Sequence, residues 1–92
     1  MRESEIEKAL TAKVKARAGM ALKFISPGMS GVPDRIVLMP GGVIAFVELK
    51  APGKKMRPLQ IKRKKQIEAL GFKVYCIDSF KEVDDFTRDV MV

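Results

Sequence analysis

A chain of 92 residues that is 47% hydrophobic and 32% charged has the composition of a folded globular domain. Disorder is excluded, and without any run of about 18 apolar residues so is a membrane-spanning helix. With a charge of +7, no histidine and one cysteine, the chain cannot build from its own residues a histidine general base, a serine–histidine triad, a Cys/His zinc site or an intrachain disulfide. What remains is chemistry on carboxylates, lysine and bound ions, in a protein whose basic surplus suits a polyanionic partner. The length suits a single domain over residues 1–92, with a core small enough that oligomerisation would help it. The charged N-terminus shows no signal peptide, and with the lone cysteine it predicts an intracellular protein.

Ser4 and Glu7 have capping-box spacing, and Ile6, Leu10 and Val14 recur at helical intervals, so residues 4–18 read as an amphipathic helix ended by Gly19. Glu3 and Glu7 sit one turn apart beside that stripe. Either can lean toward a metal site, or they can simply favour the helix N-terminus. Residues 21–25 form a short strand. The loop SPGMSGVPD follows, in which Gly28 and Gly31 permit unusual backbone geometry and Pro33 disfavours helix before Asp34. Its backbone at Ser26, Gly28 and Ser30 can meet a phosphate, or the loop can be no more than a turn.

Arg35–Met39 and Val43–Leu49 read as a hairpin through Pro40, Gly41 and Gly42, returning the second strand beside the first and bringing Asp34 near Glu48. From 43 to 50 the apolar run is nearly unbroken, as in a strand buried on both faces. Alternation puts Glu48 and Lys50 on one face with Ile44 and Phe46. An exposed ion pair is the plain explanation of Glu48 and Lys50. It fits Glu48 poorly, because a carboxylate beside a buried strand face needs a partner or a metal.

After a basic loop at 51–56, Pro58 suits the first turn of a helix that Gly71 ends. Leu59, Ile67 and Leu70 trace its expected inward stripe, interrupted by Gln60, Arg63 and Lys64. Residues 50–65 hold eight Lys or Arg and no acid, whereas residues 78–89 hold five acids and two bases. The basic side chains Arg35, Lys54, Lys55, Arg57, Lys62, Arg63 and Lys64 are candidates for a nucleic-acid backbone. A solvated basic helix face is the plain alternative. Residues 72–77 form the last strand, with Cys76 as a small buried hydrophobe. Ser79 and Glu82 cap a final helix with Val83, Phe86 and Val90 inward. The element order is therefore αβββαβα.

Pro33-Asp34 and Glu48-Leu49-Lys50, fourteen residues apart from Asp34 to Glu48, resemble the motif of the PD-(D/E)XK nuclease superfamily. With the N-terminal glutamate helix, Lys23-Phe24 to Gly28, Gly31 to Arg35, Val47 to Lys50, Pro58-Leu59-Gln60 and Gly71-Phe72, the chain is most similar to virus-type replication-repair nuclease (VRR-NUC) domains. The resemblance implies an α/β restriction-endonuclease-like core, a mixed central sheet flanked by helices. It further implies an endodeoxyribonuclease using Mg²⁺ or Mn²⁺, with no organic cofactor and no membrane partner. Asp34, Glu48 and the Leu49 carbonyl would bind metal. Lys50 would hold the attacking water or offset charge, Gln60 would orient the site, and Glu7 or alternatively Glu3 would add an outer carboxylate. Stand-alone viral members imply a homodimer acting on branched DNA such as Holliday junctions, in the cytoplasm of a bacterial host. A non-catalytic basic nucleic-acid-binding module is the rival reading.

Overall fold

The computed structural model describes residues 1–90. Its elements are α1 (Glu3–Ala16), β1 (Met20–Lys23), β2 (Arg35–Met39), β3 (Val43–Leu49), α2 (Pro58–Ala69), β4 (Lys73–Ile77) and α3 (Phe80–Val90), in the expected order. One four-stranded sheet runs β1-β2-β3-β4. The pairs β1/β2 and β2/β3 are antiparallel; β3/β4 is parallel, with α2 as its crossover.

Helix α1 begins ahead of the expected Ser4–Glu7 box, because the Glu5 carboxylate accepts the Arg2 N–H at 2.8 Å and supplies the cap instead. Ile6, Leu10 and Val14 are wholly buried, as their spacing predicts. At the other end the left-handed residue is Ala18, not Gly19. Gly19 answers a different need, since a Cβ there would lie 2.4 Å from the Met39 sulfur and 2.7 Å from the Leu38 carbonyl oxygen. Only glycine lets the chain turn so tightly from α1 onto the sheet.

The core lies between the sheet and the α1/α3 pair: Ile6, Leu10 and Val14 meet Val37, Met39, Ala45, Val47, Leu49 and Ile77, and Val83, Phe86 and Val90 close it from α3. Ser79 caps α3 by accepting the Glu82 N–H at 3.1 Å. Tyr75 stands edge-on to Phe86 with ring centroids 4.7 Å apart.

The opposite sheet face is largely open. Met20, Leu22, Ile44 and Phe72 are exposed there, and Phe24, Phe46 and Phe72 form a row with centroids 5.9 and 5.8 Å apart. Strand β3 is thus buried on both faces only toward Glu48 and Leu49; Val43 and Ile44 are exposed. The stripe expected on α2 is also absent, since Leu70 is 76% exposed and Leu59 is exposed as well. Gln60 alone is buried in that helix, so α2 docks through a polar group in its first turn rather than along an apolar face.

Gly31 sets the approach of the 26–32 loop to α2. Its φ is +83°, and a Cβ would fall 2.7 Å from Leu59 Cγ. We expect Gly31→Ala to cost about 1–3 kcal/mol in chemical denaturation. Gly28→Ala, with nothing within 4 Å of its added Cβ, stays within about 0.5 kcal/mol of the parent.

Candidate active site

The hairpin register builds the site. Arg35 pairs with Val47 and Ile36 with Phe46, so one further step places Asp34 across from Glu48 on the face opposite the helical core. The strands are joined at this end by the Leu49 N–H, which donates to Asp34 Oδ1 at 3.2 Å. The Phe24 N–H donates to the Asp34 carbonyl at 2.8 Å, extending the β1/β2 pairing up to the site.

Glu48 is 5% exposed, and its Oε2 accepts from Gln60 Nε2 at 3.0 Å and lies 3.4 Å from Lys50 Nζ. One hydrogen bond and one ion pair on the same oxygen answer the cost of burying this carboxylate. The orientation of Gln60 is itself fixed. Its Oε1 accepts the Arg57 N–H at 2.9 Å, as the helix cap demands, which turns the NH₂ toward Glu48. No buried side-chain polar atom among the described residues lacks a partner.

Burial, and then the charge of Glu48, push the Asp34 carboxyl up to about 6. The Leu49 N–H and the Arg35 charge oppose that rise, while the charge of Glu3 adds to it. A carboxyl whose ionisation is opposed by burial and by a neighbouring carboxylate is the ordinary electrostatic setting for a cation.

The remaining expected residues divide. Glu7 pairs with Arg35 rather than with Asp34 and Glu48, and no three acidic or thiol side chains among the described residues are grouped to hold an ion. Glu3 is exposed. Lys54, Lys55, Arg57 and Lys62 are exposed and available to a polyanion. Arg63 is committed within the chain: its Nε donates to the Ser30 carbonyl at 2.8 Å and its Nη1 to Gln66 Oε1 at 3.0 Å, strapping the loop to α2. Lys64 lies 3.9 Å from the Glu68 carboxylate. Ser26 spends its carbonyl on the Met29 N–H, and Gly28 is exposed at the loop surface.

Sequence reasoning missed two neighbours. Cys76 pairs with Glu48 across the parallel β3/β4 register, and burial followed by the Glu48 charge raises its thiol. Asp78 accepts the Gly53 N–H at 3.2 Å and pins the basic loop. Neither contact has a local sequence signal, because parallel pairing across a helical crossover leaves no mark in alternation.

The architecture and this motif geometry define a PD-(D/E)XK-type nuclease fold. No model of a known protein family matches the chain. A solved structure described as a VRR_NUC domain covers 94% of both chains with a TM-score of 0.87 and 33% identity. "Putative nuclease p44" of Acyrthosiphon pisum secondary endosymbiont phage 1 is 49% identical over 79 residues, 86% of this chain and 85% of that protein. The chain belongs to the VRR-NUC family. With the family comes its coarse activity, that of a nuclease and hence a hydrolase.

Proposed function

We propose that this protein is a divalent-metal-dependent DNA endonuclease that works on branched DNA as a homodimer. The observation that carries the reading is the convergence of Asp34 and Glu48 across the end of the hairpin, with Lys50 against the same buried Glu48 oxygen. The donor set is all oxygen, which fits Mg²⁺ or Mn²⁺. Asp34, Glu48 and the Leu49 carbonyl would hold the ion, and water would complete a shell that so few protein ligands leave open. When bound, such an ion polarises the phosphodiester and lowers the pKa of a coordinated water.

The chain's own residues do the rest. Lys50 presents a fixed ammonium to the attacking water or to the charge growing on phosphoryl oxygens. Gln60 keeps Glu48 in one orientation, and the exposed Lys54, Lys55, Arg57 and Lys62 draw in the backbone. The phage relative supports a working place inside a bacterial host cell.

Two-fold cutting of a four-way junction calls for two sites related by symmetry, and the open apolar sheet face gives a small chain a surface for a second copy. Ile44→Arg, on that exposed face, is expected to leave the monomer folded and to shift the protein from dimer to monomer in analytical ultracentrifugation. It would turn paired junction cuts into single nicks.

The direct test is cleavage of labelled junction, flap and linear duplex in Mg²⁺, Mn²⁺ or EDTA, with cutting of the junction expected only when metal is present. Salt-sensitive binding with no cleavage under any metal would instead make the protein a basic binding module.

A further inference from the structure

We infer that Glu7 and Arg35 form a single positioning unit that fixes Asp34 in the catalytic site, an inference that rests on the nuclease reading above. Arg35 lies on the core-facing side of β2, alternating with Asp34 and Ile36, and its side chain is only 11% exposed. Its Nη1 donates to the Asp34 carbonyl at 3.0 Å and its Nη2 pairs with the Glu7 carboxylate. The guanidinium is thus spent on two protein acceptors and has little surface to offer a phosphate.

The same geometry redefines Glu7. A nearly buried guanidinium must keep a counter-charge, and Glu7 is the one bonded to it. Glu7 does not join Asp34 and Glu48 in any three-acid group among the described residues. Its influence reaches the site through Arg35. The Asp34 peptide is gripped from two directions, by Arg35 from the helical side and by the Phe24 N–H from β1, while the Leu49 N–H holds Oδ1. These three contacts fix both the backbone and the carboxylate at the start of β2. Losing Glu7 frees Arg35 to seek solvent, which releases the Asp34 carbonyl from one side. A shift of a few tenths of an ångström at a metal-binding carboxylate is costly to a reaction that depends on placement.

The test is a double-mutant cycle on the full chain with Glu7→Gln, Arg35→Gln and the pair. Four measurements are made on each protein: kcat on the junction at saturating DNA, Mn²⁺ affinity by calorimetry, DNA affinity in EDTA and the thermal midpoint. Each single variant is expected to lower kcat by roughly ten- to hundredfold and to weaken Mn²⁺ binding by roughly tenfold. The double variant should be no worse than the weaker single, and DNA affinity should change less than about twofold, because the two residues act as one. Additive losses overturn the inference. So does weakened Mn²⁺ binding in Glu7→Gln alone, which makes Glu7 a ligand, or weakened DNA binding in Arg35→Gln with kcat intact, which makes Arg35 a phosphate contact. A lower thermal midpoint with parental kcat and Mn²⁺ affinity reduces the pair to a structural salt bridge. Where a glutamine variant does not fold, Arg35→Lys and Glu7→Asp are read in the same way. Absence of cleavage by the parent protein would sink the nuclease reading alone, since the Mn²⁺ affinities still report on the pair.

Discussion

Lys50→Met is expected to slow junction cleavage by roughly 10²- to 10³-fold at saturating DNA, the loss typical of removing one fixed donor aimed at developing charge. Methionine keeps most of the length of the lysine stem and removes the ammonium 3.4 Å from Glu48 Oε2. DNA affinity should hardly change, because Lys50 is largely buried while Lys54, Lys55, Arg57 and Lys62 stay exposed. Stability should fall by about 1–3 kcal/mol, because a buried carboxylate loses its paired charge. Gln60 still bonds Glu48 at 3.0 Å, which keeps the loss within that range. Single-turnover cleavage, filter binding in EDTA and urea denaturation separate the three effects. A Lys50→Met protein that binds more weakly but cleaves at the parental rate would move Lys50 from the chemistry to the DNA contact surface.

What could be read from the residues was what two periodicities and a turn dictate. The hairpin is local: five residues of β2, a Pro-Gly-Gly turn and seven of β3 fix the register that faces Asp34 with Glu48. Lys50 follows from alternation alone. Gln60 was expected at the site through the resemblance to the nuclease family, and it lies against Glu48 although the stripe it interrupts is exposed. What stayed hidden were choices of partner. A Glu on a helix beside a core stripe can serve a cap, a metal or an arginine. Only the packing of α1 on the sheet decides that Glu7 meets Arg35. Arg35 and Arg63 read as phosphate contacts because they are basic and lie near the motif, yet both are held by acceptors remote in sequence. The open sheet face was also hidden, since an exposed Ile44 or Phe72 looks in sequence like any core residue.

Asp34→Asn is expected to abolish metal-dependent cleavage and yet to make the metal-free protein more stable at neutral pH. Asparagine still accepts the Leu49 N–H through Oδ1, and it removes the negative charge that burial and Glu48 disfavour. In the folded protein Asp34 titrates at about 6, above its ordinary 3.8, so between those values the folded state keeps a proton that the unfolded chain has released. The stability this gives is whole below about pH 4 and is lost as pH rises through about 6. Allowing for solvent screening at a half-buried group, the loss is about 1–2 kcal/mol between pH 4 and 7. Urea denaturation of the metal-free proteins across that range should show the decline in the parent and not in Asp34→Asn, leaving the variant the more stable of the two at pH 7. Added Mg²⁺ or Mn²⁺ should close the gap by stabilising the parent alone, because an ion that binds only the folded carboxylate pair shifts the folding equilibrium by mass action. Parallel pH profiles for the two proteins, or equal stabilisation of both by the metal, would mean that Asp34 is an ordinary turn residue. In that case the convergence at the end of the hairpin would have no catalytic purpose.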